Sequence, residues 1–371
     1  MEKIRGMLTA GGISLLLIAS ILLAGCIGGG KGGREVTIRT TGATFPQYQI
    51  QKWIEIYQQS HPGIKVEYEG GGSGHGQDAF LNGLTHIGRS DPPVKEETWN
   101  KFLNTGDQPL QFPEVVGAVV VAYNVPGVNQ LKLSREVLVD IFIGDIEYWD
   151  DDAIQEINPG INFPHEKIIV IHRSDSSGTT SIFTTYLSVI SEKWKNSVGA
   201  GKTVEWPADK MGRGLAGKGN PGVVATLKQT QYSICYTELS FAVEEKLKTA
   251  KLENHDGHYV DANEETIQAA VAGVKANIPS PTLGYTEDLE QLLDAPGSNS
   301  YPIVAFTHIL VWENKNCKHY SKDEAEAIKD FLTWVLTEGQ KSENLAPGYM
   351  GLPSEVASIG INAVNMIKTS C

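Results

Sequence analysis

Three times in this chain an apolar stretch runs into a cluster of Gly, Ser and Thr and then into a helical pattern: at residues 40–45, 70–76 and 173–179. A strand, a small-residue turn and a helix in that order form the repeating unit of α/β architecture. Strands alternating with helices exclude an all-α bundle or an all-β sandwich. The unit also carries chemistry. The first N–H groups of a helix have no partner within it, and with the helix dipole they make a ready site for an anion. A single such turn is ordinarily only a helix cap. Three in one chain, one of them opening on Arg173, point to a built oxyanion site.

The rest of the pattern fits the same class. Val36 and Ile38 alternate with polar residues as in a strand, and Pro46 stands where the first helical position favours it. Ile50, Trp53, Ile54 and Tyr57 then follow helical spacing until Pro62-Gly63. Ile64, Val66 and Tyr68 form a second strand, residues 70–76 read as a flexible turn, and 78–84 as a short helix. Asp91-Pro92-Pro93 is a rigid turn. Buried strands are predicted over 115–123, 168–171, 232–236 and 304–311. Helices are predicted over 134–143, 151–157 and 241–250, through Ile182, Phe183, Tyr186 and Leu187, and over 323–336. At 371 residues the chain is long enough for two domains. The strands near 115–123 and 304–311 are placed to cross between them. That gives a discontinuous lobe I of 34–117 plus 304–371 and a lobe II of 118–303, with ligands expected in the crevice at the carboxyl ends of the strands.

A formal net charge of −13 argues against a nucleic-acid partner, which would require a basic face. It does not argue against a small anion, since a few local donors decide that. At the N-terminus Lys3 and Arg5 precede an apolar or small-residue stretch over 7–27 that ends in Leu23-Ala24-Gly25-Cys26. This ending resembles the lipobox of secreted lipoproteins. The resemblance implies a signal peptide over 1–25, lipidation of Cys26 and a Gly-rich linker over 26–33. A plain membrane anchor is the alternative, since about 20 apolar residues span a bilayer. In either case the body faces outward, anchored to the outer face of the cell membrane. The other cysteines are Cys235, Cys317 and Cys371, with no Cys-x-x-Cys among them. Cys317 and Cys371 are candidates to pair in an oxidising compartment, or to remain free.

Within the third turn, Arg173 offers a planar fork that matches a tetrahedral oxyanion, and Asp175 is placed to orient it or to cap the helix. Asp91 is the unusual feature. A carboxylate beside an anion site repels the ligand unless that ligand carries a proton, because a carboxylate only accepts hydrogen bonds. Hydrogen phosphate has such a proton and sulfate does not, and a site built on a hydrogen bond of this kind discriminates by about 10⁴-fold or more. Read alone, the sequence favours Asp91 as a turn residue before Pro92.

Gly42-Ala43-Thr44-Phe45-Pro46, Gly72-Ser73-Gly74, Ser90-Asp91, Phe112-Pro113, Tyr148-Trp149-Asp150, Arg173-Ser174-Asp175-Ser176-Ser177-Gly178-Thr179 and Gly217-Lys218-Gly219-Asn220 follow one another in this order. Together they resemble the periplasmic phosphate-binding protein family of the phosphate-specific ABC transporter. The resemblance implies a two-lobed periplasmic-binding-protein (Venus-flytrap) fold, with a central mixed sheet in each lobe and a two-strand hinge. It implies inorganic phosphate held without metal or other cofactor. Position by position, it implies that Thr44 and Ser73 bind through hydroxyl and backbone N–H, Phe45 and Gly178 through backbone N–H, and Ser177 through its hydroxyl. Thr179 would offer both kinds of donor, Arg173 the charged fork, and Asp91 would accept the phosphate proton. The implied role is a monomeric, non-enzymatic receptor that delivers phosphate to the permease and ATPase complex of an importer. Gly74-His75 stands where the family often has Ser-Gly.

Two other classes stay in view: a secreted phosphatase or other phosphoryl-transfer enzyme on a similar cleft, and a receptor for sulfate or molybdate. Gly212 to Lys218 nearly matches a nucleotide-binding loop, but Gly219 stands where Ser or Thr would hold magnesium. Residues 218–222 are therefore expected to be a loop beside the cleft. Gly-x-Ser-x-Gly and His-Glu-x-x-His are both missing, and His255-x-x-His258 lies in a polar stretch.

Overall fold

In the computed structural model, residues 35–272, 278–284 and 292–370 are described. The signal-peptide, linker and Cys26 expectations fall outside that range. The chain runs through β1 (Val36–Gly42), α1 (Gln47–Ser60), β2 (Ile64–Gly70), α2 (Ser73–Leu81), β3 (Ile87–Ser90) and α3 (Glu96–Leu103) into the long strand β4 (Pro109–Asn124). There follow β5 (Lys132–Leu133), α4 (Arg135–Ile143), α5 (Asp152–Ile157), β6 (Ile169–Arg173), α6 (Gly178–Ile190), α7 (Glu192–Ser197) and α8 (Pro207–Lys210). Next come β7 (Gly214–Gly217), α9 (Gly219–Gln229), β8 (Ser233–Glu238), α10 (Leu239–Glu244), β9 (Lys248–Thr249), β10 (Lys251–Glu253), β11 (Tyr259–Val260) and α11 (Glu264–Ala272). The chain closes with β12 (Val304–Trp312), α12 (Lys322–Leu336) and α13 (Ser354–Met366).

The main sheet has the order β2-β1-β3-β12-β4-β8-β6-β7. β1 is parallel to β2 and β3, and β6 is parallel to β7 and β8, so helices must carry the chain back each time. β12 and β4 are antiparallel and lie between these two parallel groups. β4 pairs with β12 from Pro109 to Ala118 and with β8 from Val119 to Asn124, so a single strand belongs to both groups. The class is mixed α/β, as the sequence implies.

The core follows from the apolar spacing. Ile50, Trp53 and Tyr57 of α1 are buried, and the Trp53 indole donates to Gly339 O at 2.8 Å. In α12, Ala325, Ile328, Phe331, Leu332 and Val335 are all buried, as their spacing predicts. Ser321 and Glu324 close a reciprocal capping box at its start, a device that stabilises a helix by about 1 kcal/mol. All but the last residue of β4 are buried, which explains its unbroken apolar stretch. Pro113 cannot donate to a ladder, and it sits beside a register shift between Thr307 and His308. The extra residue there is Glu114. The bulge turns it onto Arg89, and the two form an ion pair with both side chains inaccessible.

Three local expectations need correction. α2 starts at Ser73, not near Asp78, and takes in Gly74 and Gly76. Those glycines serve close approach and not flexibility: a Cβ on Gly76 would lie 2.7 Å from Gly42 Cα, and one on Gly74 would lie 2.5 Å from Ser176 Cβ. The helix expected over 241–250 ends at Glu244. Lys246 takes a left-handed φ of 53°, after which Lys248 and Thr249 pair with Tyr123 and Ala122. Residues 218–222 are not a loop but the cap and first turn of α9, entered from the short strand β7. Cys317 is disulfide-bonded, and Cys371, the partner considered for it, lies outside the described residues. Cys235 is a buried free thiol.

Candidate functional site

Within each parallel group the carboxyl ends fall on one edge. The two groups run in opposite directions across β12 and β4, with β3 ending level with Pro113 and β8 ending opposite Val119. The two edges therefore face each other at the middle of β4, and the loops leaving β1, β2, β3, β6 and β7 meet. Those loops carry every candidate residue. Gly42 ends β1 with a φ of 140° and accepts from the N–H of both Gly71 and Gly72 at 2.9 Å, which ties the β1–α1 turn to the β2–α2 turn. Thr44 and Phe45 stand at the entry to α1, both buried, with the Phe45 ring against Gly117. Ser73 is the first residue of α2 and is fully buried. Its hydroxyl donates to Asp91 Oδ2 at 3.1 Å and accepts from Asp91 N at 3.0 Å, so each residue orients the other.

The opposite wall is built by β6 and α6. Arg173 ends β6 and is 4% exposed. Asp175 grips its guanidinium from one side, accepting from Nε at 2.8 Å and Nη2 at 2.6 Å. The third nitrogen, Nη1, donates to Thr179 Oγ1 at 3.2 Å. Asp175 also accepts from Gly219 N at 2.9 Å. Burial works against the Asp175 charge, but Arg173 and these N–H groups outweigh it and hold its pKa below the usual carboxylate value. Ser177 is the N-cap of α6 and accepts from Thr180 N at 3.1 Å, so its hydroxyl proton stays available. Gly178 and Thr179 follow as the first two residues of α6, with N–H groups that the helix leaves unpaired.

The two walls touch. Gly74 N donates to Ser176 O at 3.0 Å, and Lys202 Nζ donates to Gln77 Oε1 at 2.5 Å. A Cβ on Gly178 would land on Asp91 Oδ2 and Ser73 Oγ. The structure therefore brings together Thr44, Phe45, Ser73, Asp91, Arg173, Ser177, Gly178 and Thr179, with Asp175 behind Arg173. His75 is exposed and points away, so the Gly74-His75 step does not alter the site wall. Gly74 there admits Ser176.

Asp91 is the electrostatic centre. It is 1% exposed, and its Oδ1 is buried with no hydrogen-bond partner among the described residues. Burial pushes its pKa up to about 7, while Arg173, Ser73 and Thr307 act in the opposite direction. An unpaired buried carboxylate oxygen costs free energy unless something donates to it. The ring of N–H, hydroxyl and guanidinium donors facing it suits a small anion that also carries a proton.

Sequence reasoning missed Asn220. It is fully buried in the first turn of α9, and its side chain reaches Thr44 and Thr179. The sign was there as a fourth strand–turn–helix unit, hidden because Gly214 to Gly217 lacks the apolar character of a strand. Tyr236, whose hydroxyl accepts from Arg173 N at 3.1 Å, was read only as a strand residue.

Comparison with known proteins gives the family. A model of the periplasmic-binding-protein superfamily domain matches residues 29–338. A phosphate-binding protein PstS of Methanocaldococcus jannaschii is 68% identical over 364 residues, covering 95% of this chain and 94% of that protein. The chain belongs to the PstS family. A second PstS, from Pasteurella multocida, is 39% identical and covers 86% of this chain and 87% of that protein. Among solved structures, a high-affinity periplasmic phosphate-binding protein (PfluDING) superposes with a TM-score of 0.67 at 22% identity, covering 90% of this chain and 99% of that one. A phosphate-binding protein from Stenotrophomonas maltophilia gives 0.63 at 19% identity, covering 88% and 93%. The structural likenesses speak to the fold, which is that of the periplasmic binding proteins.

Proposed function

We propose that this protein is an extracytoplasmic receptor that captures inorganic phosphate and delivers it to an ABC-type importer. The observation that carries the reading is the buried Asp91 carboxylate, its Oδ1 without a hydrogen-bond partner among the described residues, set beside Arg173 and against Ser73 and Gly178 at the starts of α2 and α6. Thr44, Phe45 and Ser73 form one jaw, and Arg173, Ser177, Gly178 and Thr179 form the other. Asp91 accepts the proton that hydrogen phosphate carries and sulfate lacks. Each charge-assisted hydrogen bond contributes about 1.5–3 kcal/mol, not additively, which leaves room for sub-micromolar affinity, near ~8 kcal/mol. The jaws belong to the lobes expected at 34–117 plus 304–371 and at 118–303, and β4 and β12 act as the hinge about which they close. The PstS names of the relatives support a receptor over a phosphoryl-transfer enzyme.

The finer features of the reading are that Cys26 carries the lipid, that 1–25 is removed, and that the protein acts as a monomer beside its permease. A tether at the membrane raises the effective concentration of the receptor at the transporter. Calorimetric titration with phosphate, arsenate and sulfate tests the central claim. Phosphate is expected to bind far more tightly than sulfate, and Arg173→Ala to lose most of that affinity. Equal affinity for sulfate, or an unchanged Arg173→Ala, would remove the reading.

A further inference from the structure

We infer that Asn220 is a positioning residue that sets the donor direction of two hydroxyls in the anion site and couples its two walls. The inference rests on the phosphate-receptor reading above. The side chain sits in the first turn of α9, fully buried, between the β1–α1 turn and the start of α6. Its Nδ2 donates to Thr44 Oγ1 at 3.3 Å and to Thr179 Oγ1 at 3.2 Å. Its backbone N–H also donates to Thr44 Oγ1, at 3.2 Å. Thr237 Oγ1 donates to its Oδ1 at 3.2 Å, which completes the amide's hydrogen bonds.

The consequence lies in counting lone pairs. A hydroxyl oxygen accepts two hydrogen bonds and donates one. Thr44 Oγ1 receives both of its bonds from Asn220, one from the backbone and one from the side chain. Thr179 Oγ1 receives one from Asn220 and one from Arg173 Nη1. Both oxygens are therefore full as acceptors, and each hydroxyl has only its proton left to offer. In the closed arrangement two rotatable groups are fixed donors, so the ligand held there does not have to orient them. Thr44 and Thr179 lie on opposite walls, so the bridge forms only when the walls are together. Asn220 thereby links closure to the polarity of the site.

The test is a calorimetric titration of inorganic phosphate into wild-type protein, Asn220→Ala, Thr44→Val, the double variant and Thr237→Val, with ligand-free thermal midpoints alongside. Asn220→Ala should weaken phosphate binding by about 10- to 100-fold. The double variant should lose less affinity than the product of the two single losses, since part of the Asn220→Ala loss runs through the Thr44 hydroxyl. Thr237→Val leaves Asn220 in place but frees its amide, and it should weaken binding by a smaller factor while the fold is kept. It carries the test if Asn220→Ala fails to fold. Wild-type affinity in Asn220→Ala or Thr237→Val, or costs that multiply in the double variant, would overturn the inference. Failure of the wild-type protein to bind phosphate at all would instead overturn the receptor reading.

Discussion

Gly178→Ala is the sharpest test of how the two walls meet. Gly178 opens α6 where that helix start packs against Ser73 and Asp91. A methyl group there would fall on Asp91 Oδ2 and Ser73 Oγ and lie 2.6 Å from Asp91 Cβ, where ordinary contact begins at 3.4 Å. None of these neighbours is the free end of a long side chain. Asp91 and Ser73 hold each other by two hydrogen bonds and have nowhere to go. The walls must separate, or the Ser73–Asp91 pair must break. Overpacking of this kind costs about 1–3 kcal/mol, which is roughly 5- to 150-fold in phosphate affinity. The cost falls on the closed arrangement alone. Gly178 has no left-handed φ, so alanine takes up its backbone without strain and stabilises by about 0.4–1 kcal/mol through a lower entropy of the unfolded chain. Ligand-free Gly178→Ala is therefore expected to melt at or above the wild-type temperature while binding phosphate far more weakly. Calorimetry and thermal denaturation on the same preparation read both quantities. Unchanged affinity would refute the contact, and a parallel loss of stability would show that the methyl group damages the fold and not closure.

Two further outcomes follow from the buried carboxylates. Asp91→Asn supplies an amide that can donate, so sulfate affinity should rise by about tenfold or more while phosphate affinity falls; competition of sulfate against labelled phosphate measures both, and unchanged selectivity would remove Asp91 from the discrimination. Glu238 is fully buried, accepts from Ser240 N at 2.9 Å and Tyr349 Oη at 3.1 Å, and burial pushes its pKa up to about 8. A raised folded-state value favours the protonated form, so its contribution to stability is complete below the ordinary pKa of 4.5 and is lost as pH rises through 8. Glu238→Gln should match wild type near pH 5 and exceed it near pH 9 by on the order of a few kcal/mol, read from denaturant midpoints; a constant difference across that range would refute the assignment.

Much of the site was legible because its parts are local. Arg173 and Asp175 are two residues apart, and a strand followed by a turn places them to pair without help from the rest of the chain. Ser177, Gly178 and Thr179 read as a helix start for the same reason. Asp91 was legible as a suspicion only, since its meaning depends on burial, and burial depends on what packs over it. Gly74 and Gly76 were misread because glycine marks both flexibility and close approach, and only the neighbours Ser176 and Gly42 distinguish the two. The end of α10 at Glu244 depended on a backbone turn at Lys246 that apolar periodicity does not register.

The order of elements, the amphipathic faces of α1 and α12, and the presence of small-residue turns at helix starts are properties of short segments, and the sequence by itself determined them. The meeting of those turns was decided by tertiary structure alone. Parallel pairing gathers the turns of each group on one edge, and β4, which pairs with β12 along its first part and with β8 along its second, sets the two edges face to face and so joins loops more than a hundred residues apart. There Ser73 finds Asp91, and Asn220 finds both Thr44 and Thr179. Periodicity reports which face of a segment is apolar, but not which distant hydroxyl an amide will meet. The charge state of Asp91 belongs to the same level, because desolvation is a property of the closed site and not of the residue.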